Sequence, residues 1–200
     1  LVVEALQCLS SPDGVDHEDV RMTKQGEGNL SDTRLVDGMV LEAGLTLDRL
    51  PRRLDSGTVL ALTCPLEQEE ASRETEIEIE GTDQWMAFIE AKEAILKKKT
   101  DAVLATGANV VLSAEGIEPS IFHALTDAGC FVLGGIERSG IEDLAKASGA
   151  TMCDHLDDAD ASVLGSFSSL EIETGEGLDG RKERICLRFG PGAGLVTLDV

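Results

Sequence analysis

The order of apolar and polar positions divides the 200 residues into stretches of different period. "DTRLVDGMVLEA" (32–43) alternates as a half-buried strand does, with Gly38 placed for a bulge. "TVLALTC" (58–64) is continuously apolar, the pattern of a strand covered on both faces, and Pro65 closes it. "PLEQEEASRE" (65–74) is acidic, lacks a period and reads as an exposed loop, while "TEIEIE" (75–80) returns to strict alternation. From residue 109 the pattern runs strand (109–114), helix (117–129), strand (130–135), helix (139–149) and a short strand-like "ATMC" (150–153). Strands alternating with short helices predict a small parallel sheet with crossover helices. After an acidic turn at 154–160 come three further strand-like runs, "FSSLEIET", "ERICLRFG" and "GLVTLDV". The fold class is therefore mixed α/β, an α/β layer with antiparallel strands around it. Residues 13–29 are polar and contain glycine, as a linker or hairpin does, and "LVVEALQCL" (1–9) reads as the end of an amphipathic helix. The chain is expected to be a piece of a longer protein.

The longest periodic element opens with "TDQWMAFIEAKEAILKKK" and continues through "TDAVLA" until Thr106-Gly107 offers a C-cap. Thr82 is a good N-cap and Asp83 suits the first turn. At 1.5 Å per residue this helix is about 36 Å long, more than the small sheet can cover, so one end should project. Ile95, Leu96, Val103 and Leu104 are expected to pack on the sheet, and Trp85, Met86, Phe88 and Ile89 crowd the other end. Trp85, Phe88 and Ile89 fit the spacing of a core stripe. Four large apolar residues within five positions nevertheless cover most of the circumference, and the preceding loop brings carboxylates. Two readings stay open at this point, a core face and an exposed docking surface. On the helix at 117–129, Ile117, Ile121, Leu125 and Ala128 form a core stripe, which puts Ser120, His123 and Asp127 on the other face.

Charge changes the picture more than composition does. The chain has 38 acidic against 17 basic residues, net −21, which disfavours nucleic acid and anionic membranes as partners. Acidic excess with scarce lysine also fits adaptation to high salt, where screening removes self-repulsion. Aromatics are only 3%, so the core must be built from Val, Leu, Ile and Ala. Five cysteines at wide spacing, with no C-x-x-C, point to reduced thiols in a cytoplasm, and Cys64, Cys130 and Cys186 read as small core residues. Cys153 and His155 could both ligate a metal, but nothing nearby completes a set, so no metal site is expected. His123 has no nucleophile or carboxylate partner placed by the sequence and is no catalytic candidate. "FGPGAG" (189–194) imitates a phosphate loop without the lysine and following helix, and a hairpin turn explains it better. An α/β nucleotide- or phosphate-binding enzyme domain, with Gly134-Gly135 or residues 190–194 beside a phosphate, is the alternative class. The missing lysine and the lack of a paired acid and base argue against it.

"LSDTRLVDGMVLEAG", "LPRRL", "TVLALTCPLE", "FIEAKEAILKKKTDAVLATGANVVLSAEGIEPSIFHALTDAGCFVL" and "IEDLAKASGATM" occur in this order, and together they resemble the group II chaperonins, the thermosome and its eukaryotic cytosolic relatives. "DTRLVDGMV" and "ATGANVV" are the most specific pieces. The resemblance implies a chaperonin apical domain, a swivelling β/β/α fold over residues 32–190 that binds unfolded polypeptide. It implies that 1–31 are the edge of an intermediate domain with a linker and that 191–200 form a return strand. Residues near 66–92 would be the helical protrusion that makes the built-in lid, with Trp85, Met86, Phe88 and Ile89 meeting neighbouring subunits or non-native chains. Ser120, His123 and Asp127 would face the cavity. The partners implied are unfolded polypeptides and other subunits of a double ring, in the cytoplasm, with ATP and Mg in the parent chaperonin. The family's nucleotide loop is nowhere in these residues, so the chain itself is expected to carry no cofactor, catalytic or metal site. "GGIERSG" (134–140) departs from the basic stretch usual there, which puts in doubt a positively charged cavity wall.

Overall fold

The computed structural model describes residues 3, 20–23, 33–43, 50–67, 82–177, 180–190 and 193–199. Of the exposed loop expected at 65–74 only residues 65–67 are described, and there Leu66 is fully buried and bridges Ile117, so the loop starts later than expected; its remainder and the alternating run at 75–80 lie outside the described residues, as does the helix end at 1–9 apart from Val3. In chain order the strands are β1 (Val20–Thr23), β2 (Arg34–Asp37), β3 (Met39–Ala43), β4 (Arg53–Leu54), β5 (Gly57–Leu62), β6 (Val110–Ser113), β7 (Phe131–Leu133), β8 (Gly165–Phe167), β9 (Ser169–Gly177), β10 (Gly180–Arg188) and β11 (Val196–Asp199). The helices are α1 (Thr82–Thr106), α2 (Pro119–Asp127) and α3 (Arg138–Ser148), with a 3-10 turn at Leu156–Asp158.

The central sheet has the order β7-β6-β5-β8, parallel except for β8. Alternation along its strands feeds two cores. Val59, Ala61, Val110, Leu112 and Phe131 point to one face, where they meet Ile141 and Leu144 of α3 and Met39, Leu170 and Ile185 of the antiparallel sheet β3-β10-β9-β4. Leu60, Leu62, Val111 and Val132 point to the other, where they meet Leu96 and Val103 of α1 and Ile121 and Leu125 of α2. A strand covered on both faces has no polar side to show, which is why 58–62 reads as a continuous apolar run. The layers are therefore antiparallel sheet with α3, central sheet, then α1 with α2.

The alternating segment at 32–43 is not one strand with a bulge. It breaks at Gly38 (φ 133°) into β2 and β3, which belong to different sheets. A Cβ there would lie 2.3 Å from the Leu187 carbonyl oxygen, so only glycine lets the chain cross so close to β10. Thr197 Oγ1 donates to the Gly38 carbonyl at 2.7 Å and holds the crossing in place. β2 joins β11 and β1 in a third sheet, of order β1-β11-β2. The polar stretch 13–29 thus contains a strand, β1, paired parallel with β11. Its exposed Met22 and flanking Arg21 and Thr23 give an edge strand no readable alternation.

A buried ion cluster ties this third sheet to its neighbour. Asp199 of β11 is 0% exposed and accepts from Arg34 Nε (3.0 Å) and Arg184 Nη1 (3.0 Å). Arg34 also reaches Glu173 of β9, whose carboxylate its guanidinium holds below the usual range. Arg21 of β1 pairs with Asp143 of α3.

Residues 150–153 are not a strand. Cys153 makes a single bridge to Leu62, while Ala150 donates to Ser148 Oγ and Thr151 to the Val163 carbonyl, so no ladder can extend. Cys130, Cys153 and Cys186 are buried and Cys64 is half-buried, all as free thiols. Burial pushes the Cys186 thiol up to about 11, the behaviour of an inert core residue.

Candidate functional site

Helix α1 has two halves with different surroundings. Its sequence is rich in Ala, Leu, Glu and Lys, which favour helix intrinsically, and Gly107 (φ 76°) ends it as the expected C-cap. In the second half Leu96, Thr100 and Val103 are buried at i, i+4 and i+7, the stripe that seats the helix on the sheet. Thr100 Oγ1 donates to the Leu96 carbonyl at 3.0 Å and so enters the stripe with its hydroxyl satisfied. Lys99 Nζ donates to the carbonyls of Pro65 (3.3 Å) and Glu67 (2.6 Å), pinning the chain that leaves β5 against this half.

No side chain from Asp83 to Ile95 is buried. Trp85 is 51% exposed, Met86 55% and Phe88 37%, and Ile89 is half-buried. The Trp85 and Phe88 rings stack on each other, centroids 6.1 Å apart at 29°, rather than on the body of the domain. Of the two readings open from sequence, the geometry selects the exposed apolar face. Two residues assigned to the sheet are corrected at the same time: Ile95 is 49% and Leu104 37% exposed. They stand on either side of the Leu96–Val103 stripe, because helical periodicity lets only one narrow line of α1 touch the sheet.

On α2, Ile121 and Leu125 are fully buried, while Ser120, His123 and Asp127 are exposed as a set. Ala128 is exposed too and is not part of the core stripe, because it follows the helix's last residue. Phe122 and His123 make an edge contact at 5.8 Å. Between the helices runs an open groove of about 390 Å³, lined by Glu93, Leu96, Lys97, Thr100, Asp101 and Leu104 of α1 and by Ser120 and Ala124 of α2. Of the seven residues singled out from the sequence, only Ser120 lines it. Trp85 precedes Leu96 by about 16 Å of helix, so the aromatic cluster and the groove are two stations along one helix. Sequence reasoning missed Glu93, Lys97, Thr100, Asp101 and Ala124, and gave Leu96 and Leu104 to the sheet alone. A signal was present, since Met86, Ile89, Glu93, Leu96, Thr100 and Leu104 recur at three- and four-residue steps along one line of α1.

Among the described residues no group of three or more His, Cys, Asp or Glu side chains converges as a metal set would. Cys153 is buried whereas Asp154 and His155 face solvent, so the three do not converge. Among the described residues no helix is long and apolar enough to cross a membrane.

The layering, with a long helix running past the sheet it sits on, defines a chaperonin-type fold. It is similar over 99% of this chain to an open-state monomer of a group II chaperonin from Methanococcoides burtonii, with TM-score 0.74, 21% identity and 43% of that chain covered. Residues 1–178 match the TCP-1/cpn60 chaperonin family, and the chain belongs to that family. It is 34% identical over 175 residues to a thermosome subunit of Methanopyrus kandleri and 35% identical over 175 residues to a thermosome beta subunit of Aeropyrum pernix, covering 86% of this chain in both cases. The chain spans about a third of the length of these relatives, 32% in each.

Proposed function

We propose that this chain is the apical domain of a group II chaperonin subunit, which captures unfolded polypeptide and contributes to the lid of a double ring in the cytoplasm. The observation that carries the proposal is the first half of α1, which buries none of its side chains from Asp83 to Ile95 yet displays Trp85, Met86 and Phe88. Solvated apolar surface of this kind is costly unless a partner covers it. Trp85, Met86, Phe88 and Ile89 meet neighbouring subunits in the closed ring or non-native chains in the open one. Ser120, His123 and Asp127 face the cavity. In this reading residues 1–31 lead from the intermediate domain, 32–190 are the apical domain with a protrusion at about 66–92, and 191–200 return. ATP and Mg belong to the remainder of the parent subunit, and this chain neither binds nor hydrolyses the nucleotide. The net charge of −21 fits work in concentrated salt, so thermal melts should rise from millimolar to molar KCl.

Suppression of aggregation of a chemically denatured model protein by the purified chain tests the proposal. The wild-type chain should suppress it, and Trp85→Ser, Phe88→Ser and Ile89→Ser together should abolish most of the effect without changing the fold. Equal suppression by both, or ATP turnover that survives repurification, would remove the assignment.

A further inference from the structure

Alternation splits the antiparallel sheet β3-β10-β9-β4 into two faces. Leu54, Leu170, Leu187 and Met39 form one row of its register and belong to the larger core. The neighbouring row, Arg53, Glu171, Cys186 and Val40, points the other way. The third sheet packs on the β3–β10 half of this second face, where Val36 meets Val40 and Cys186, and Asp199 meets Arg184. The β9–β4 half stays open, with Arg53 68% and Arg188 45% exposed. Glu171 is their shared partner, 3.1 Å from Arg53 Nη1 and 3.5 Å from Arg188 Nη1. Arg53 Nε also meets Asp55 at 3.1 Å, and Arg34 meets Glu173 at the border. Three arginines against three carboxylates make this face neutral in a chain of net charge −21. A guanidinium carries five N–H donors in a planar fork, so one shared carboxylate leaves both Arg53 and Arg188 with donors to spare.

The opposite outer layer carries the complement. Leu156 and Ala159 pack into the core under α1 and α2, which turns Asp154, Asp157, Asp158 and Asp160 out to solvent. The 3-10 turn and the Ser162 amide, which donates to Asp160 at 2.7 Å, give these carboxylates a formed backbone to stand on. Arg138, 3.9 Å from Asp154 and 3.4 Å from Glu142, offsets one charge and leaves Asp157 and Asp158 at the tip. The arginine face lies beyond the antiparallel sheet and the turn lies beside α1, so one copy presents both surfaces at once.

Resting on the reading of this chain as part of a ring subunit, we infer that the open arginine face of one copy receives the Asp157–Asp158 turn of the next. Arg53 and Arg188 donate to the two carboxylates of the second copy. Neither surface complements itself, so the contact is head-to-tail and repeats from copy to copy, as a closed ring requires. A neutral face is also where copies of net charge −21 repel each other least. Each exposed pair contributes a few-fold, so isolated chains associate weakly and the contact strengthens when the rest of a ring holds them side by side. Screening shortens the range to about 3 Å at 1 M salt, so there only direct contact between the two surfaces counts.

The experiment is sedimentation equilibrium of the full 200-residue chain, up to about 1 mM, the range in which a few exposed pairs produce association. One variant reverses the face (Arg53→Glu with Arg188→Glu) and another reverses the turn (Asp157→Lys with Asp158→Lys). Wild type should self-associate, and each variant alone should do so at least about tenfold more weakly. An equimolar mixture of the two should return to within about threefold of wild type, because each face then meets a turn of opposite charge. A misfolded variant cannot produce that recovery, so the mixture separates a lost contact from a lost fold. Wild-type chain that stays monomeric, variants that associate as wild type does, or a mixture that recovers nothing would each overturn the contact. None of these outcomes touches the aggregation assay above, which judges the chaperonin reading by itself and should be unchanged in both variants.

Discussion

Two regions of this molecule break the rule that apolar groups go inside and charges outside, and they break it in opposite ways. At the joint between β11, β2 and β10 a carboxylate, Asp199, is shut away from water, while at the start of α1 Trp85, Met86 and Phe88 are left in it. The buried charge is compensated within the chain: Arg34 and Arg184 both donate to it, and no buried side-chain polar atom among the described residues lacks a partner. Among the described residues, the exposed rings stack only on each other. An inversion compensated internally is structural, because the molecule is complete without anything further. An inversion left open is a surface awaiting a partner, and that difference directs the functional reading to α1.

Removing the compensation is the most damaging way to break the comparison. Asp199→Ala strips Arg184 of its carboxylate in a nearly buried setting, and should cost about 3–5 kcal/mol in urea unfolding. Leu96→Ala tests the seated half of α1 and should cost about 2–5 kcal/mol, since that side chain joins Val103 and Leu125 in one core. A stability unchanged by Leu96→Ala would mean that α1 is not seated as described.

Acid sharpens the contrast without mutation. Glu173 has its pKa lowered, chiefly by the hydrogen bond from Arg34, so it binds a proton more readily unfolded than folded. Its contribution is complete above the ordinary glutamate pKa and is lost as pH falls through the lowered native value. Urea midpoints should therefore drop below about pH 4.5, and Arg34→Gln should remove part of that drop. The smallest effect on stability belongs to the open inversion. Trp85→Ser, Phe88→Ser and Ile89→Ser should each cost within about 0.5 kcal/mol, and wild-type Trp85 emission should be red-shifted and quenched by acrylamide. A blue-shifted, protected Trp85 would return this half of α1 to the core.

Where a segment's surroundings are uniform, the sequence was readable. The continuous run 58–62, the alternating strands and helices from 109 to 149 and the full extent of α1 could be read because burial on both faces, or on one stripe, writes a simple period. The parts that escaped depend on long-range pairing. β1 is an edge strand whose residues carry no period, and its partner β11 lies at the other end of the chain. The split at Gly38 imitates a bulge because alternation continues across it, and only the approach of Leu187 shows that the strand changes sheets. The groove escaped for a similar reason. Its line of residues on α1 is visible in the sequence, but its second wall comes from α2, and nothing local says which side of α2 faces that line.

The pairing of Val20 with Val196 also has a consequence for how the chain acquires its structure. The sheet β1-β11-β2 joins segments near opposite ends of the sequence, so its closure entropy is large and its contacts raise the contact order more than any others described here. The two cores around β5, β6 and β7 use nearer neighbours and can form while synthesis is still under way. β1 cannot find β11 until the last of these strands has left the ribosome. The third sheet is thus the late step of folding, and protection of the Thr197 amide from hydrogen exchange should appear after that of Val111 in a refolding time course.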